Sequence, residues 1–179
     1  MRDLHASLPH PADNGDLAAR IRQAAHLTGE FLLRSGETAT QFLDEYRFAA
    51  DPVLLDAAAR AMVPLIPSDT EVLGGLELGG VPVVTALSLR TGLPVAYIRK
   101  KAKVHGTRRL AEGADITGKR VLVVEAVVNT GGQIALAAAD LRGLGATVTH
   151  TLCVVDRGRS GRANLAAHGV ELLNLLELT

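Results

Sequence analysis

Val121-Leu122-Val123-Val124-Glu125-Ala126-Val127-Val128-Asn129-Thr130-Gly131-Gly132-Gln133 is the stretch on which the fold turns. Four apolar residues in a row fit a strand buried on both faces, as in a parallel sheet covered by helices. The run stops at an acid, crosses a short loop and reaches Thr130-Gly131-Gly132, where an Ala/Leu-rich helical pattern begins. This layout predicts Glu125 at the carboxyl end of a central strand and the backbone N–H groups of residues 130–133 aimed at one point. A helix N-terminus behind glycines is a ready anion site, because its first N–H groups lack partners and the helix dipole favours negative charge. An acid beside such a cradle suits a ligand that carries both hydroxyls and phosphate.

Outward from that stretch, strand and helix alternate. Upstream, residues 71–73 read as a short strand, and Gly74-Gly75 opens a loop that ends at Gly79-Gly80. A helix then runs to about Arg90 and closes on Gly92, and residues 95–98 form the next strand. Downstream of a long polar stretch (99–119) and the central strand, the spacing predicts a helix over 132–144 and a strand over 148–155. A loop over 156–161, a short helix closing near Gly169 and a last strand over 170–176 follow. At the other end, residues 1–16 hold Pro9, Pro11, Asn14 and Gly15 and read as a flexible arm. Leu17, Ile21, Ala24 and Phe31 follow helical spacing from Asp16 until Ser35-Gly36. Residues 38–48 read as irregular or β. Asp51-Pro52 places a cap and a proline at the start of a helix reaching about Leu65. The expectation is an α/β fold in one domain over 17–179, with a central, mostly parallel sheet flanked by helices. Ligands of such sheets bind outside the carboxyl ends of the strands.

Composition narrows the function classes. With 47% hydrophobic residues the chain is not disordered, and 179 residues suffice for one full core. Nineteen basic and nineteen acidic residues balance, which argues against a general nucleic-acid or membrane-surface binder. The single cysteine, Cys153, sits in an apolar run and reads as a core residue. No apolar stretch reaches about 18 residues and no signal pattern opens the chain, so the expected location is the cytoplasm. The six histidines show no metal-ligand spacing, and neither a G-x-G-x-x-G nor a Walker-type motif is present.

The opening stretch resembles the phosphoribosyl diphosphate (PRPP) signature of the type I phosphoribosyltransferases: a hydrophobic strand, two acids, two apolar residues and Thr/Ser-Thr/Ser-Gly-Gly. Two departures stand out. Ala126 occupies the place of the second acid, and Asn129 stands where Thr is usual. Further along, Arg99-Lys100-Lys101-Ala102-Lys103-Val104-His105-Gly106 resembles the flexible loop of orotate phosphoribosyltransferases. Val154-Val155-Asp156-Arg157 resembles their orotate-binding segment, and Phe31-Leu32-Leu33-Arg34-Ser35-Gly36 their Leu-Lys-Ser-Gly. Gly74-Gly75-Leu76-Glu77-Leu78-Gly79-Gly80 resembles their pyrophosphate loop.

This resemblance implies transfer of 5-phosphoribosyl from PRPP to orotate, giving orotidine 5′-phosphate and pyrophosphate in pyrimidine synthesis. Lys103, His105 and Glu125 would act on the reacting groups. Arg99, Lys100, Lys103, His105, Glu125, Val127, Val128, Asn129, Thr130, Gly131, Gly132 and Gln133 would hold PRPP and the diphosphate. Arg157, Asn129, Arg34 and Phe42 would hold orotate, because a guanidinium fork suits its carboxylate. Mg2+ would arrive with PRPP and sit near Glu125 through water, without direct protein ligands. The family also implies a homodimer sharing loop 99–113, and a small hood over the base from about 17–50 with the C-terminal segment.

Ala126 bears on how well such a site works. A hydrogen bond to a charged group contributes about 1.5–3 kcal/mol, so its loss slows an enzyme roughly 10- to 150-fold. Two alternatives therefore stay open: a weakened or inactive PRPP- or nucleotide-binding paralogue, and a phosphoribosyltransferase for another base. On sequence alone, Ala126→Asp is expected to speed turnover.

Overall fold

The computed structural model describes residues 14–32, 36–102, 104–106, 109–158 and 160–178. Six strands form the main sheet: β3 (Val72–Leu76), β4 (Val95–Ile98), β5 (Ala111–Gly113), β6 (Val121–Val128), β7 (His150–Asp156) and β8 (Glu171–Glu177). Their order is β5-β4-β3-β6-β7-β8, all parallel except for β5 against β4. The chain winds away from the centre in both directions, so β3 and β6 meet at the switch point where such sheets hold ligands.

The apolar quartet of β6 explains the layering. Leu122 and Val124 join one buried cluster with Leu73, Leu152 and Val154. That cluster receives α1 (Asn14–Ala25), α2 (Glu45–Ala49), α3 (Pro52–Met62) and α4 (Gly80–Thr91). Val121 and Val123 point the other way, into a cluster with Ile134, Leu141 and Leu165 of α5 (Gly132–Gly143) and α6 (Gly161–Ala167). Each buried valine or leucine contributes roughly 1.5–3 kcal/mol. A strand segment that is apolar at four successive positions is stable only between two helical layers, and residues 121–124 of β6 demand both.

Most elements lie where the sequence places them. Asp51 caps α3 by accepting from the Val53 and Leu54 N–H groups at 2.8 and 3.2 Å. Gly92 ends α4 with φ of 73°. Cys153 is buried in β7, and burial pushes its thiol pKa up.

Four expectations are corrected. The first helix begins at Asn14 and stops at Ala25, not near Ser35; the rest of the expected arm lies outside the described residues. Residues His26–Leu32 are instead strand β1, paired antiparallel with β2 (Thr38–Leu43) in a separate two-stranded sheet. Phe31 continued the helical spacing by coincidence; its ring stacks on Phe42 across the pair, centroids 5.4 Å apart. Gly74 and Gly75 do not open a loop but lie inside β3, fully buried. A Cβ on Gly75 would stand 2.4 Å from Val84 Cγ1, so the glycine lets α4 lie directly on the sheet. The polar stretch after β4 contains β5, an edge strand. Finally, β6 does not end at Glu125 but continues to Val128, because pairing with β7 extends to Val128 opposite Asp156.

Candidate active site

Three parallel strands, β4, β3 and β6, end side by side, and a cavity of about 340 Å3 opens at their carboxyl ends. Each wall has its own origin. The β3 wall is Leu76 to Gly79, where the Glu77–Leu78 peptide is cis. The β4 wall is Ile98, Arg99 and Lys100. Glu77 ties the two: its N–H donates to the Ile98 carbonyl at 2.9 Å, and its Oε1 accepts from the Lys100 N–H at 2.7 Å.

The third wall is the end of β6 and the start of α5: Glu125, Val127, Val128, Asn129, Thr130, Gly131, Gly132 and Gln133. Gly131 precedes α5 with φ of 69°, a left-handed turn that glycine adopts freely. No side chain caps the helix there, so its first N–H groups remain available for an anion. The cradle is braced from behind, where Asn164 Nδ2 donates to the Thr130 carbonyl at 2.7 Å.

Glu125 lies on the cavity floor. Burial raises its pKa from the ordinary carboxylate range to about 8; the Ala126 N–H opposes this, Glu45 adds to it and Lys100 opposes it again. In the empty cavity the group is therefore mostly protonated at neutral pH. Across from it, Arg99 Nε is buried and makes no hydrogen bond among the described residues. A buried guanidinium nitrogen without a partner is costly in the empty protein, and an anionic ligand would relieve it.

Other candidates lie further out. His105 is exposed in the turn beyond Lys100, and Phe42 is on β2; neither lines the cavity. Arg157 follows β7, and its N–H donates to the Val128 carbonyl at 2.9 Å beside the cradle, but it does not line the cavity either. Asp156 steadies that loop, with Oδ1 accepting from the Gly158 N–H at 3.0 Å and Oδ2 from Arg162 at 3.3 Å. Lys103 and Arg34 lie outside the described residues.

Sequence reasoning missed Glu45, Tyr46, Leu136 and Asp140, all of which line the cavity, and placed Glu77 only as part of the 74–80 segment. A signal existed for the first two. Asp44 is a good N-cap, and it does cap α2, accepting from the Tyr46 N–H at 3.1 Å. The Tyr46 hydroxyl pKa is raised by burial first and then by Glu45, Glu125 and Asp44, a sign of how many acids gather here.

A parallel sheet with an acid floor, a helix-N-terminal cradle and facing cations defines a sugar-phosphate-handling enzyme class, and comparison with known proteins specifies which. Residues 51–173 match the phosphoribosyl transferase domain family, so the chain belongs to the phosphoribosyltransferases. Among them it groups with the orotate phosphoribosyltransferases. The enzyme of that name from Nocardioides sp. is 50% identical over 160 residues, 89% of each chain. The orotate phosphoribosyltransferase of Mycobacterium tuberculosis, solved in complex with Fe(III) dicitrate, superposes with a TM-score of 0.83 at 34% identity. The match covers 93% of this chain and 97% of that one. A structure of the same enzyme in complex with PRPP gives 0.79 at 29% identity, again over 93% and 97%.

Proposed function

We propose that the chain transfers the 5-phosphoribosyl group of PRPP to orotate. The C1–O bond to the diphosphate breaks, a C1–N bond to the base forms, the base N–H proton leaves, and orotidine 5′-phosphate and pyrophosphate result. The observation that carries this is the meeting of Glu125, the uncapped α5 cradle and the Arg99–Lys100 edge around one cavity. The cradle, Thr130 to Gln133, takes the 5′-phosphate. Glu125 accepts from the ribose hydroxyls and faces the positive charge that grows at C1. Arg99 and Lys100 hold the diphosphate, and Lys103 with His105 closes over it to stabilise the charge of the leaving group. Arg157, Asn129, Arg34 and Phe42 hold orotate, under a hood built on the β1–β2 pair.

Among the described residues no group of three or more His, Cys, Asp or Glu side chains forms a metal cage. The donor set fits Mg2+ that enters on the diphosphate, with Glu125 reaching its water shell; there it would neutralise the leaving group. His105 stands away from its own cavity while Arg99 and Lys100 line it, which supports a homodimer that shares loop 99–113, part of it reaching the partner's site. No described helix is long and apolar enough to cross a membrane, and the reading includes a cytoplasmic location.

Mixing the protein with orotate, PRPP and Mg2+ is expected to lower orotate absorbance while pyrophosphate is released in step. Turnover with another base and none with orotate would overturn the choice of substrate. Lys103→Ala is expected to lower kcat far more than it raises KM for PRPP; equal changes would remove Lys103 from the reacting end.

A further inference from the structure

Ala126 is fully buried, and its Cβ lies 3.6 Å from the point where a Cβ on Gly79 would stand. Two carboxylates converge on that same point. Glu125 Oε1 is 2.9 Å from it and Glu45 Oε1 is 3.4 Å from it, and both side chains line the cavity. The Ala126 Cβ and the Glu45 carboxylate thus approach the same point, so a carboxylate at 126 would join two acids already gathered there.

We propose that Glu45, reaching down from α2, is the second acid of the phosphoribosyl site and replaces the carboxylate that position 126 lacks. This rests on the phosphoribosyl reading given above. Glu45 is held firmly enough for the task. Asp44 caps its helix and donates its N–H to the Ala25 carbonyl at 2.8 Å, while Phe48, one turn on, is fully buried. Among the described residues neither Glu45 nor Glu125 forms an ion pair. Two acids this close across a glycine are costly to ionise together, and in the empty protein Glu125 keeps its proton. A ligand with two adjacent hydroxyls, or the water shell of its divalent cation, gives each acid a donor. Arg99 Nε, without a hydrogen bond among the described residues, offers a donor to an anionic ligand in the same cavity. Glycine at 79 leaves the backbone bare so that both carboxylates can approach.

The test is a double-mutant cycle on Glu45→Ala and Ala126→Asp, with Glu45→Gln alongside, read both as calorimetric binding of Mg·PRPP and as turnover. Glu45→Gln is expected to lower kcat/KM for PRPP roughly 10- to 100-fold, the worth of one charged hydrogen bond, with the melting temperature little changed. Ala126→Asp alone sets a third carboxylate against two and is expected to lower activity, opposite to the reading from sequence alone. Combined with Glu45→Ala it should raise activity above either single variant. Unchanged Mg·PRPP binding and turnover in Glu45→Gln would overturn the inference, as would a strictly additive cycle. If the cycle folds poorly, Glu45→Gln alone decides. A protein that binds Mg·PRPP through Glu45 yet spares orotate would keep this inference and lose orotate as the base. A protein that binds no PRPP would lose both.

Discussion

Glycines flank the cavity on two sides, with Gly79 and Gly131 in its lining and Gly75 and Gly80 next to that lining in the chain, and the two groups need glycine for different reasons. Along β3 and α4, Gly75, Gly79 and Gly80 keep backbone conformations open to any residue; what they lack is room. A Cβ on Gly80 would stand 2.3 Å from the Val124 carbonyl oxygen, and one on Gly75 2.4 Å from Val84. At the cradle, Gly131 has φ of 69°, a conformation in which an L side chain is strained whatever the space. One wall is bare so that a helix can press against the sheet. The other bends to lead the chain into the uncapped start of α5, the proposed phosphate cradle. The same residue type thus serves packing on one side and, in the proposed function, recognition on the other.

The contrast breaks most visibly at Gly80→Ala. The carbonyl it would strike belongs to the central strand and cannot move aside, so a loss of about 3 kcal/mol or more is expected. Urea unfolding measures it, and a loss under about 1 kcal/mol would show that α4 can lift without consequence.

Between the walls, Glu125 ties stability to pH. The folded protein holds its proton up to about pH 8, whereas the unfolded chain releases it near the ordinary value of 4.5. Across that window the native state binds more protons, so the melting temperature of the ligand-free protein is expected to fall as pH rises. The free-energy change is on the order of a few kcal/mol. Glu125→Gln should flatten that slope, and a slope left intact would assign it to other groups. On the proposed role of Glu125 as acceptor of the ribose hydroxyls, PRPP binding should tighten over the same range.

Gly131→Ala sharpens the other side. Its αL strain and the Leu165 side chain 2.7 Å from the new Cβ predict a loss of roughly 1–3 kcal/mol. Mg·PRPP binding should weaken as well. A variant that bound PRPP normally would detach the cradle from the ligand. Gly132→Ala carries the smallest effect. Only Thr130 Oγ1, at 3.9 Å, is near the added methyl, and helical alanine should stabilise by about 0.5 kcal/mol.

Legibility followed the range of the interactions. The caps at Asp51 and Gly92 and the glycine-led start of α5 rest on contacts within a few residues and could be read in order, whereas of the central strand only the apolar run could be read, not its end. The β1–β2 pair could not, because Phe31 meets Phe42 only across the antiparallel pairing, while its sequence spacing fits a helix as well as a strand. Gly74 and Gly75 misread as a loop for a related reason. A glycine demanded by the distant side chains of Ile98, Val121 and Val84 looks in sequence like a glycine demanded by a turn.

By itself the sequence determined the layered α/β fold, the glycine-led start of α5 and the acid at 125, since periodicity and local spacing encode them; that 126 lacks an acid was legible only through the family resemblance. Only the tertiary structure decided which residues share the cavity. It carried β6 past Glu125 to Val128, set Arg157 and His105 outside the lining, and brought Glu45 from a helix 80 residues away to face Glu125 across Gly79. The physical reason is burial. Helix α2 is docked by Phe48 in the core, and the place where that side chain settles fixes where the neighbouring carboxylate must stand.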